Sequence, residues 1–247
     1  MPVNKTILVT GANRGLGLGF CDVLLRRPSH TVIAAIRDTT ATAALKQIPL
    51  GEGSKLIVTK IDCARDEDPE LSMRDLEENH GITHLDVVIG NAAIEKWFGP
   101  VATVPVDELR DHFEINSVSI LTLFQATWPL LQKSTKPMFI PISTRLGSCT
   151  EVTKVKNPAA VYGASKAMVN YLTVRMHFEN PELIAFPLSP GFVQTDMGNN
   201  GARKAGQEKA FLTIDQSITG MMKIVDSATR EKTSGQFWSW DGTTFAW

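Results

Sequence analysis

Short apolar runs alternate along this chain with longer stretches in which apolar residues recur every three or four positions. Runs that are apolar throughout are typical of parallel strands covered on both faces, and the recurring pattern is typical of helices packed against them. The pattern predicts strands at residues 6–10, 31–36, 56–61, 85–89, 137–142, 183–188 and 235–240. It predicts helices at residues 15–27, 106–132, 158–179 and 211–228.

The alternation of strands with helices predicts an α/β fold. We expect one Rossmann-type, doubly wound domain over residues 1–247, with a seven-stranded parallel sheet flanked by helices. Two polar stretches, 147–157 and 198–206, are predicted to be loops. Because long loops in compact domains often act as lids, a substrate loop is expected near residues 192–210.

Composition and charge narrow the range of partners. Hydrophobic residues make up 43% of the chain and charged residues 21%, which are the values of a globular protein. The formal net charge of −1 leaves no basic surface for nucleic acid and no polybasic patch for a membrane. No apolar stretch has the length of a membrane span or of a signal peptide, so we expect a cytoplasmic protein.

The three cysteines, Cys21, Cys63 and Cys149, are scattered and form no CxxC pair. A disulfide framework or a zinc site would need closely spaced ligands, so neither is indicated. We therefore expect three reduced thiols and no bound metal.

A glycine-rich turn follows the first predicted strand, where residues 10–19 read TGANRGLGLG and open into the first predicted helix. Glycines let the backbone approach a phosphate closely, and the first N–H groups of a helix have no partner within the helix. Such a helix start binds a diphosphate well. We expect Gly15 and Gly17 to lie nearest the cofactor, with Gly11 making the turn.

Tyr162 and Lys166 are four residues apart and therefore share one face of a predicted helix. A phenol with a pKa of about 10 is a poor acid or base at neutral pH. A neighbouring ammonium favours the phenolate, so Lys166 is expected to lower the pKa of Tyr162 toward the working range. The chain has only one other tyrosine, Tyr171, with Arg175 four residues later.

Ser143 comes at the end of the fifth predicted strand, and Asn116 lies inside the long helix predicted at 106–132. Ligands of α/β sheets bind beyond the carboxyl ends of the strands, so the Ser143 hydroxyl is placed to donate to a substrate carbonyl oxygen. Thr144 is the weaker alternative for this role. Asparagine has a low helix propensity, which leaves Asn116 either tolerated or functional.

The TGxxxGxG spacing and the Tyr-x-x-x-Lys pair resemble the short-chain dehydrogenase/reductase family, and the resemblance covers the whole chain. The segment 91–93, Asn-Ala-Ala, resembles the family's NNAG, with Gly90 and Ala93 as departures. The segment 190–195 resembles its PGxxxT. The ending Trp-Asp-Gly at 240–242 resembles the group of sniffer carbonyl reductases, C-factor proteins and fungal norsolorinic acid ketoreductases.

The resemblance implies a catalytic tetrad of Asn116, Ser143, Tyr162 and Lys166, in which Asn116 holds a water linked to the lysine. It implies that Asp62 bonds the adenine amino group and that segment 190–195 holds the nicotinamide carboxamide. The interval from Ser143 to Tyr162 is longer than the family's usual one. The expected cofactor contacts are Gly11, Asn13, Arg14, Gly15, Leu16, Gly17, Arg37, Asp62, Cys63, Asn91, Ala92, Tyr162, Lys166, Pro190, Gly191, Val193 and Thr195.

The end of the second predicted strand, Ile36-Arg37, indicates which cofactor is used. An acidic residue there would bond the adenosine ribose hydroxyls, and Ile36 has no carboxylate. The Arg37 guanidinium can pair with a 2′-phosphate, with Arg14 approaching from the other side. Asp38 is open to two interpretations, as a ribose acceptor or as a partner of Arg37. We expect NADP(H).

These residues predict an NADPH-dependent carbonyl reductase in which Tyr162 donates the proton. The expected partner is a small-molecule ketone or alcohol, polyketide-like or aromatic by resemblance to fungal secondary metabolism, and the expected assembly is a homodimer or homotetramer. Trp97, Phe98 and Phe192 either line an apolar pocket or are ordinary core and surface aromatics. Two other functions stay open: a non-redox isomerase or cyclase, and a nucleotide-binding regulator.

Overall fold

The computed structural model describes residues 4–155 and 157–247, so Lys156, in the predicted loop at 147–157, lies outside the described residues. The strands are β1 Lys5–Thr10, β2 His30–Ile36, β3 Lys55–Lys60, β4 Val87–Gly90, β5 Met138–Pro141, β6 Ile184–Ala185, β7 Leu188–Ser189, β8 Phe237–Ser239 and β9 Thr244–Phe245. The α-helices are α1 Gly15–Leu25, α2 Ala43–Lys46, α3 Asp68–His80, α4 Val106–Phe113, α5 Ser119–Leu131, α6 Ala160–Glu179, α7 Asp196–Lys204 and α8 Ile214–Ser227.

The six-stranded sheet has the strand order β3-β2-β1-β4-β5-β6. Strand β1 pairs in parallel with β2 on one side, where Ile7 faces Val32, and with β4 on the other, where Ile7 faces Val87. All residues of β1 after Lys5 are buried, which explains its continuous apolar run, since both faces of a central parallel strand are covered. The α/β Rossmann-type fold predicted from the sequence is confirmed.

The predicted strand count is corrected from seven to six. The single strand expected at 183–188 is split: β6 belongs to the six-stranded sheet, whereas β7 pairs in parallel with β8 in a three-stranded sheet of order β7-β8-β9. Pro187 lies between β6 and β7, and a proline has no N–H with which to continue a ladder. The last predicted strand, 235–240, therefore becomes part of the smaller sheet as β8.

Two predicted elements differ in kind from what the structure contains. The long helix expected at 106–132 is interrupted by a π-helical turn at Glu114–Val118, between α4 and α5. The loop expected at 198–206 is largely helix α7, because the Thr195 hydroxyl accepts from the N–H of Gly198 at 3.0 Å and caps the first turn. Gly206, with φ of 78°, follows the end of this helix.

The chain forms two compact units. The first contains the residues up to Ala92 together with Ser119–Ile140, and the second contains Ala93–Val118 and Pro141–Trp247. The one-domain organisation over residues 1–247 stays a prediction. Within 4–155 and 157–247, no helix combines the length and the apolar character that crossing a bilayer requires.

Candidate active site

The glycine-rich turn in the first unit joins β1 to α1. Gly11 and Gly15 have φ values of 62° and 55°, a left-handed conformation that only glycine adopts without strain. Arg14 occupies the N-cap of α1, and its side chain has no oxygen that could accept from the first-turn N–H groups. The start of α1 therefore combines bare backbone with an uncapped helix N-terminus, which is the arrangement that suits a diphosphate.

Asn91 fastens this turn to the end of β4. Its side-chain amide donates to the backbone oxygen of Thr10 at 2.9 Å. The Thr10 hydroxyl in turn accepts from the N–H groups of Asn91, at 2.9 Å, and Ala92, at 3.0 Å. Asn91 and Ala92, predicted as cofactor contacts, thus shape the turn itself.

Replacing Gly17 with alanine is expected to distort this turn. A Cβ atom at Gly17 would overlap the backbone oxygen of Gly11 and lie 2.8 Å from the Asn91 amide nitrogen. Helix propensity favours alanine by at most about 1 kcal/mol, whereas such overpacking costs about 1–3 kcal/mol. Urea unfolding should show net destabilisation, and calorimetry should show weaker binding of a dinucleotide. Gly201→Ala is the control, because its Cβ would meet no atom closer than 3.5 Å.

The positions predicted to select the cofactor also lie in the first unit. Ile36 is buried at the end of β2, whereas Arg37 and Arg14 are exposed. The Asp38 carboxylate accepts from the N–H and the hydroxyl of Thr40, at 2.9 and 2.7 Å. These bonds, with a smaller contribution from Arg37, lower the pKa of Asp38.

Asp62 and Cys63 follow β3 directly and are both half-buried. The Asp62 carboxylate accepts from the N–H of Ala64 at 3.1 Å, and its own N–H donates to Asp68 at 3.0 Å. Both residues thus lie at the carboxyl end of β3, the end of the strands at which the cofactor is expected. The contact of Asp62 with adenine stays a prediction.

In the second unit, α6 carries Tyr162 and Lys166. Lys166 is only 1% exposed; its ammonium donates to the backbone oxygen of Ile142 at 2.8 Å and lies 5.9 Å from the centre of the Tyr162 ring. Because Ile142 immediately precedes Ser143, this bond ties the serine backbone to the helix of the Tyr–Lys pair.

The Ser143 hydroxyl donates to Oδ1 of Asn170, which is also on α6, at 2.6 Å. The Asn170 amide donates onward to the backbone oxygen of Gly147 at 3.1 Å. The serine proton is therefore directed at Asn170 rather than left for a substrate oxygen. Sequence reasoning missed Asn170, although its spacing of four from Lys166 and eight from Tyr162 places it on the same helical face.

Asn116 lies in the π-helical turn and is completely buried. Its side chain accepts from the N–H of Ile94 at 2.8 Å and donates to the backbone oxygen of Ile94 at 2.9 Å. It also donates to the hydroxyl of Ser165, which lies between Tyr162 and Lys166 in α6, at 3.0 Å. Single π-helical turns recur at functional sites, and here the turn directs an asparagine between two segments.

The pKa of Tyr162 departs from its ordinary value in the direction opposite to the expectation. Part of the residue is exposed, but the surroundings of its hydroxyl are protein, and burial together with the Glu95 carboxylate raises the pKa. The ammonium of Lys166, 5.9 Å from the ring centre, does not offset them. Tyr162 is therefore a neutral phenol at neutral pH.

The remaining predicted residues form one run before α7. Gly191 has φ of 78°, and the backbone oxygen of Pro190 accepts from the Ser217 hydroxyl at 2.7 Å. Val193 is buried and forms a parallel bridge with Leu212. Thr195 is the N-cap of α7, so its hydroxyl is already an acceptor within the protein.

Residues near the end of the sequence hold the segment that follows Ser143. The Ser148 hydroxyl donates to the backbone oxygen of Ala246 at 2.6 Å, and the N–H of Thr150 donates to that of Trp247 at 3.1 Å. The Arg145 guanidinium lies 5.7 Å from the centre of the Phe245 ring.

A family model described as short chain dehydrogenase matches residues 5–206. The chain belongs to the short-chain dehydrogenase family. This assignment confirms the resemblance of the glycine turn and the Tyr–Lys pair, and it makes the protein an oxidoreductase of a family that uses a nicotinamide cofactor.

Two curated relatives of this short-chain dehydrogenase are norsolorinic acid ketoreductases. That of Dothistroma septosporum is 43% identical over 98% of this chain and 92% of its own length. That of Aspergillus parasiticus is 40% identical over 100% of this chain and 92% of its own length. Among solved structures, an NADPH-bound carbonyl reductase from chicken fatty liver matches with a TM-score of 0.86 at 26% identity, covering 98% of this chain and 94% of that one. The carbonyl reductase Sniffer of D. melanogaster shares the fold, with a TM-score of 0.82 at 24% identity over 99% and 100%.

The catalytic residues predicted for this short-chain dehydrogenase come together around α6. Besides Asn170, two further neighbours were not found from the sequence. Glu95 is a single acidic residue three positions after Ala92, with no spacing to mark it. His112 is buried, and its Nε2 accepts from the N–H of Lys96 at 3.1 Å. Its four-residue spacing from Asn116 is the only sequence signal for it.

A groove of about 740 Å³ lies beside α8 in the second unit and is lined by residues that include Trp238 and Trp240. None of the predicted catalytic or cofactor residues lines it.

Proposed function

We propose that this protein is an NADPH-dependent carbonyl reductase that transfers hydride to a ketone, with Tyr162 as the proton donor. The observation that carries the proposal is the meeting of the four polar side chains around α6. The Lys166 ammonium donates to the backbone oxygen of Ile142, the residue before Ser143. The Ser143 hydroxyl donates to Asn170 on α6. The Asn116 amide donates to Ser165, which lies between Tyr162 and Lys166 on the same helix.

In the proposed reaction, bound NADPH supplies the hydride that reduces the carbonyl carbon. The Tyr162 hydroxyl gives its proton to the carbonyl oxygen and becomes a phenolate. The buried ammonium of Lys166 stabilises that phenolate, because an adjacent positive charge favours the ionised form of an acid. The raised pKa of Tyr162 keeps the phenol protonated before the reaction, so the proton is present to be given. It also makes the phenol a weaker acid, and the charge of Lys166 is needed to offset this as the phenolate forms.

The residues of the glycine turn fit a dinucleotide. A Cβ atom at Gly17 would occupy the space beside the backbone of the turn, and the N–H groups at the start of α1 face no side-chain cap. Gly11, Gly15 and Gly17 would hold the diphosphate, with Asn13 and Leu16 lending backbone contacts.

The relatives support a ketone as the substrate and NADPH as the cofactor. Both norsolorinic acid ketoreductases cover nearly all of this chain, and the carbonyl reductase at 26% identity binds NADPH. A polyketide-like or aromatic ketone agrees with these names. The homodimeric or homotetrameric assembly and the cytoplasmic location stay predictions.

The direct test of the proposal follows NADPH absorbance during incubation with a set of aromatic and aliphatic ketones. Loss of absorbance with formation of one alcohol per NADPH is expected. A product that forms without NADPH consumption would indicate an isomerase or cyclase instead, and cofactor binding with no product from any ketone would indicate a regulator.

Arg37→Ala is expected to remove the preference for NADPH. One charge-assisted contact with the 2′-phosphate is worth about 1.5–3 kcal/mol, so the wild type should favour NADPH over NADH by about 10- to 100-fold in kcat/KM. The variant should use both about equally. Arg74→Ala, which removes an exposed arginine of α3 paired with Glu70, is the control and should leave the ratio unchanged. Equal kcat/KM of the wild type with NADH and NADPH would contradict the assignment of NADP(H) as the cofactor.

A further inference from the structure

Glu95 occupies a fixed position in the second unit. The residues on either side of it are bonded through their backbones to buried side chains: Ile94 to Asn116, and Lys96 to His112. Since Nε2 of His112 accepts from Lys96, its proton is on Nδ1, which donates to the backbone oxygen of Glu108. Two fully buried polar residues thus orient the short segment that carries Glu95.

The Glu95 carboxyl faces α7 and an aromatic ring. A Cβ atom on Gly201 would lie 3.5 Å from Oε2 of Glu95 and 3.7 Å from the ring of Phe192. Helix α7 therefore presents bare backbone to the carboxyl, where a larger residue would cover it. Phe192 packs edge to face against Phe211, with ring centres 5.8 Å apart, so the carboxyl lies beside an apolar wall.

The carboxyl also lies close enough to the proton donor to raise the pKa of Tyr162. Burial alone raises the pKa of Glu95 to about 7. Over residues 4–155 and 157–247, no ion pair or hydrogen bond to the Glu95 carboxyl offsets this burial. Glu95 is half-buried, so its carboxyl is partly desolvated but still reachable from solvent. Acidic groups with a raised pKa recur at binding sites.

We propose that Glu95 is a specificity-determining residue whose carboxyl hydrogen-bonds a hydroxyl group of the substrate, so that the site selects hydroxylated aromatic ketones. This inference rests on the proposed function, since it needs a ketone oxygen at Tyr162. Three observations carry it: the orienting of segment 94–96, the bare backbone of Gly201, and the ring of Phe192 beside the carboxyl. A carboxyl accepts from a hydroxyl, and the aromatic wall receives the ring that bears it.

The test measures affinity for acetonaphthone and its monohydroxy derivatives by calorimetry, with the protein saturated with NADP⁺. For wild type, at least one hydroxy derivative is expected to bind about 10- to 100-fold more tightly than acetonaphthone, the effect of one hydrogen bond to a charged group. Glu95→Leu should abolish that preference. Glu95→Gln should keep part of it, because the amide oxygen still accepts.

Glu182→Leu, which removes an exposed glutamate, is the matched control and should retain the full preference. A preference that is absent in wild type, or equal in wild type and Glu95→Leu, would overturn the proposal. A role of Glu95 through Tyr162 alone would change kcat for all ketones alike and leave the affinity ratio intact, which also counts against it.

Reduction of acetonaphthone itself by the wild type reports separately on the proposed function. If it is reduced but the hydroxy derivatives bind no better, the specificity role fails and the reductase assignment stands. If a Glu95-dependent preference is measured but no ketone is reduced, the binding role stands and the reductase assignment fails.

Discussion

Tyr162→Phe is expected to lower kcat for ketone reduction by about 10²- to 10⁴-fold, the usual contribution of a positioned general acid. The substitution removes only the hydroxyl, so the packing of the ring and the affinity for NADPH should be retained. Steady-state kinetics would then show the loss in kcat and kcat/KM together, as expected for an interaction made in the transition state.

Tyr171 supplies the matched control for this experiment. It is on the same helix, α6, but is 68% exposed, so Tyr171→Phe should have wild-type turnover. Near-normal turnover of Tyr162→Phe would contradict the assignment of the proton donor, and equal losses in both variants would indicate a general disturbance of α6.

Glu95→Gln is expected to make folding stability less dependent on pH. Burial raises the pKa of Glu95 from 4.5 to about 7, so the folded protein binds this proton more tightly than the unfolded chain does. Stability is therefore lost as pH rises from about 4.5 to 7, and the full cost applies above that range. Because glutamine never ionises, the variant does not pay this cost. Its free energy of unfolding relative to that of wild type should therefore rise by about 2 kcal/mol from pH 5 to pH 8.

Urea unfolding at the two pH values measures this gain, with Glu182→Gln as the exposed control that should show none. A difference between Glu95→Gln and wild type that is equal at pH 5 and pH 8 would show that the carboxyl titrates normally. Stability is measured without cofactor or substrate, so this result does not depend on the reaction that the protein catalyses.

The central strands and helix α1 could be predicted because the residues that they bury are largely apolar. Helix α3 could not, since its buried face includes Asp68 and Ser72 as well as Pro69, Met73 and Leu76. The Ser72 hydroxyl is bonded in the core to that of Thr59 at 2.7 Å. Because the two buried hydroxyls hydrogen-bond each other, polar residues can occupy the buried face of the helix. The sequence of α3 therefore shows no clear apolar period.

Some residues of the candidate site can be recognised from their local sequence spacing, whereas others owe their role to contacts with distant parts of the chain. Tyr162 and Lys166 are recognised by helical spacing, which needs only the sequence. Asn170 shares that spacing, yet its role depends on where the end of β5 brings Ser143. Glu95 has no local signal, because its position is set by Asn116 and His112, which lie elsewhere in the sequence.

The bonds from Ser148 and Thr150 to Ala246 and Trp247 join residues 98 and 97 positions apart. A nascent chain exposes Ser143 long before residue 246 is made, and closing so long a loop carries an entropic cost. On the ribosome, the segment after Ser143 therefore acquires these partners only when residues 246 and 247 have emerged. A stalled translation product ending near residue 240 would carry all four residues of the tetrad but would lack these bonds, so the segment beside the reactive centre is fastened last.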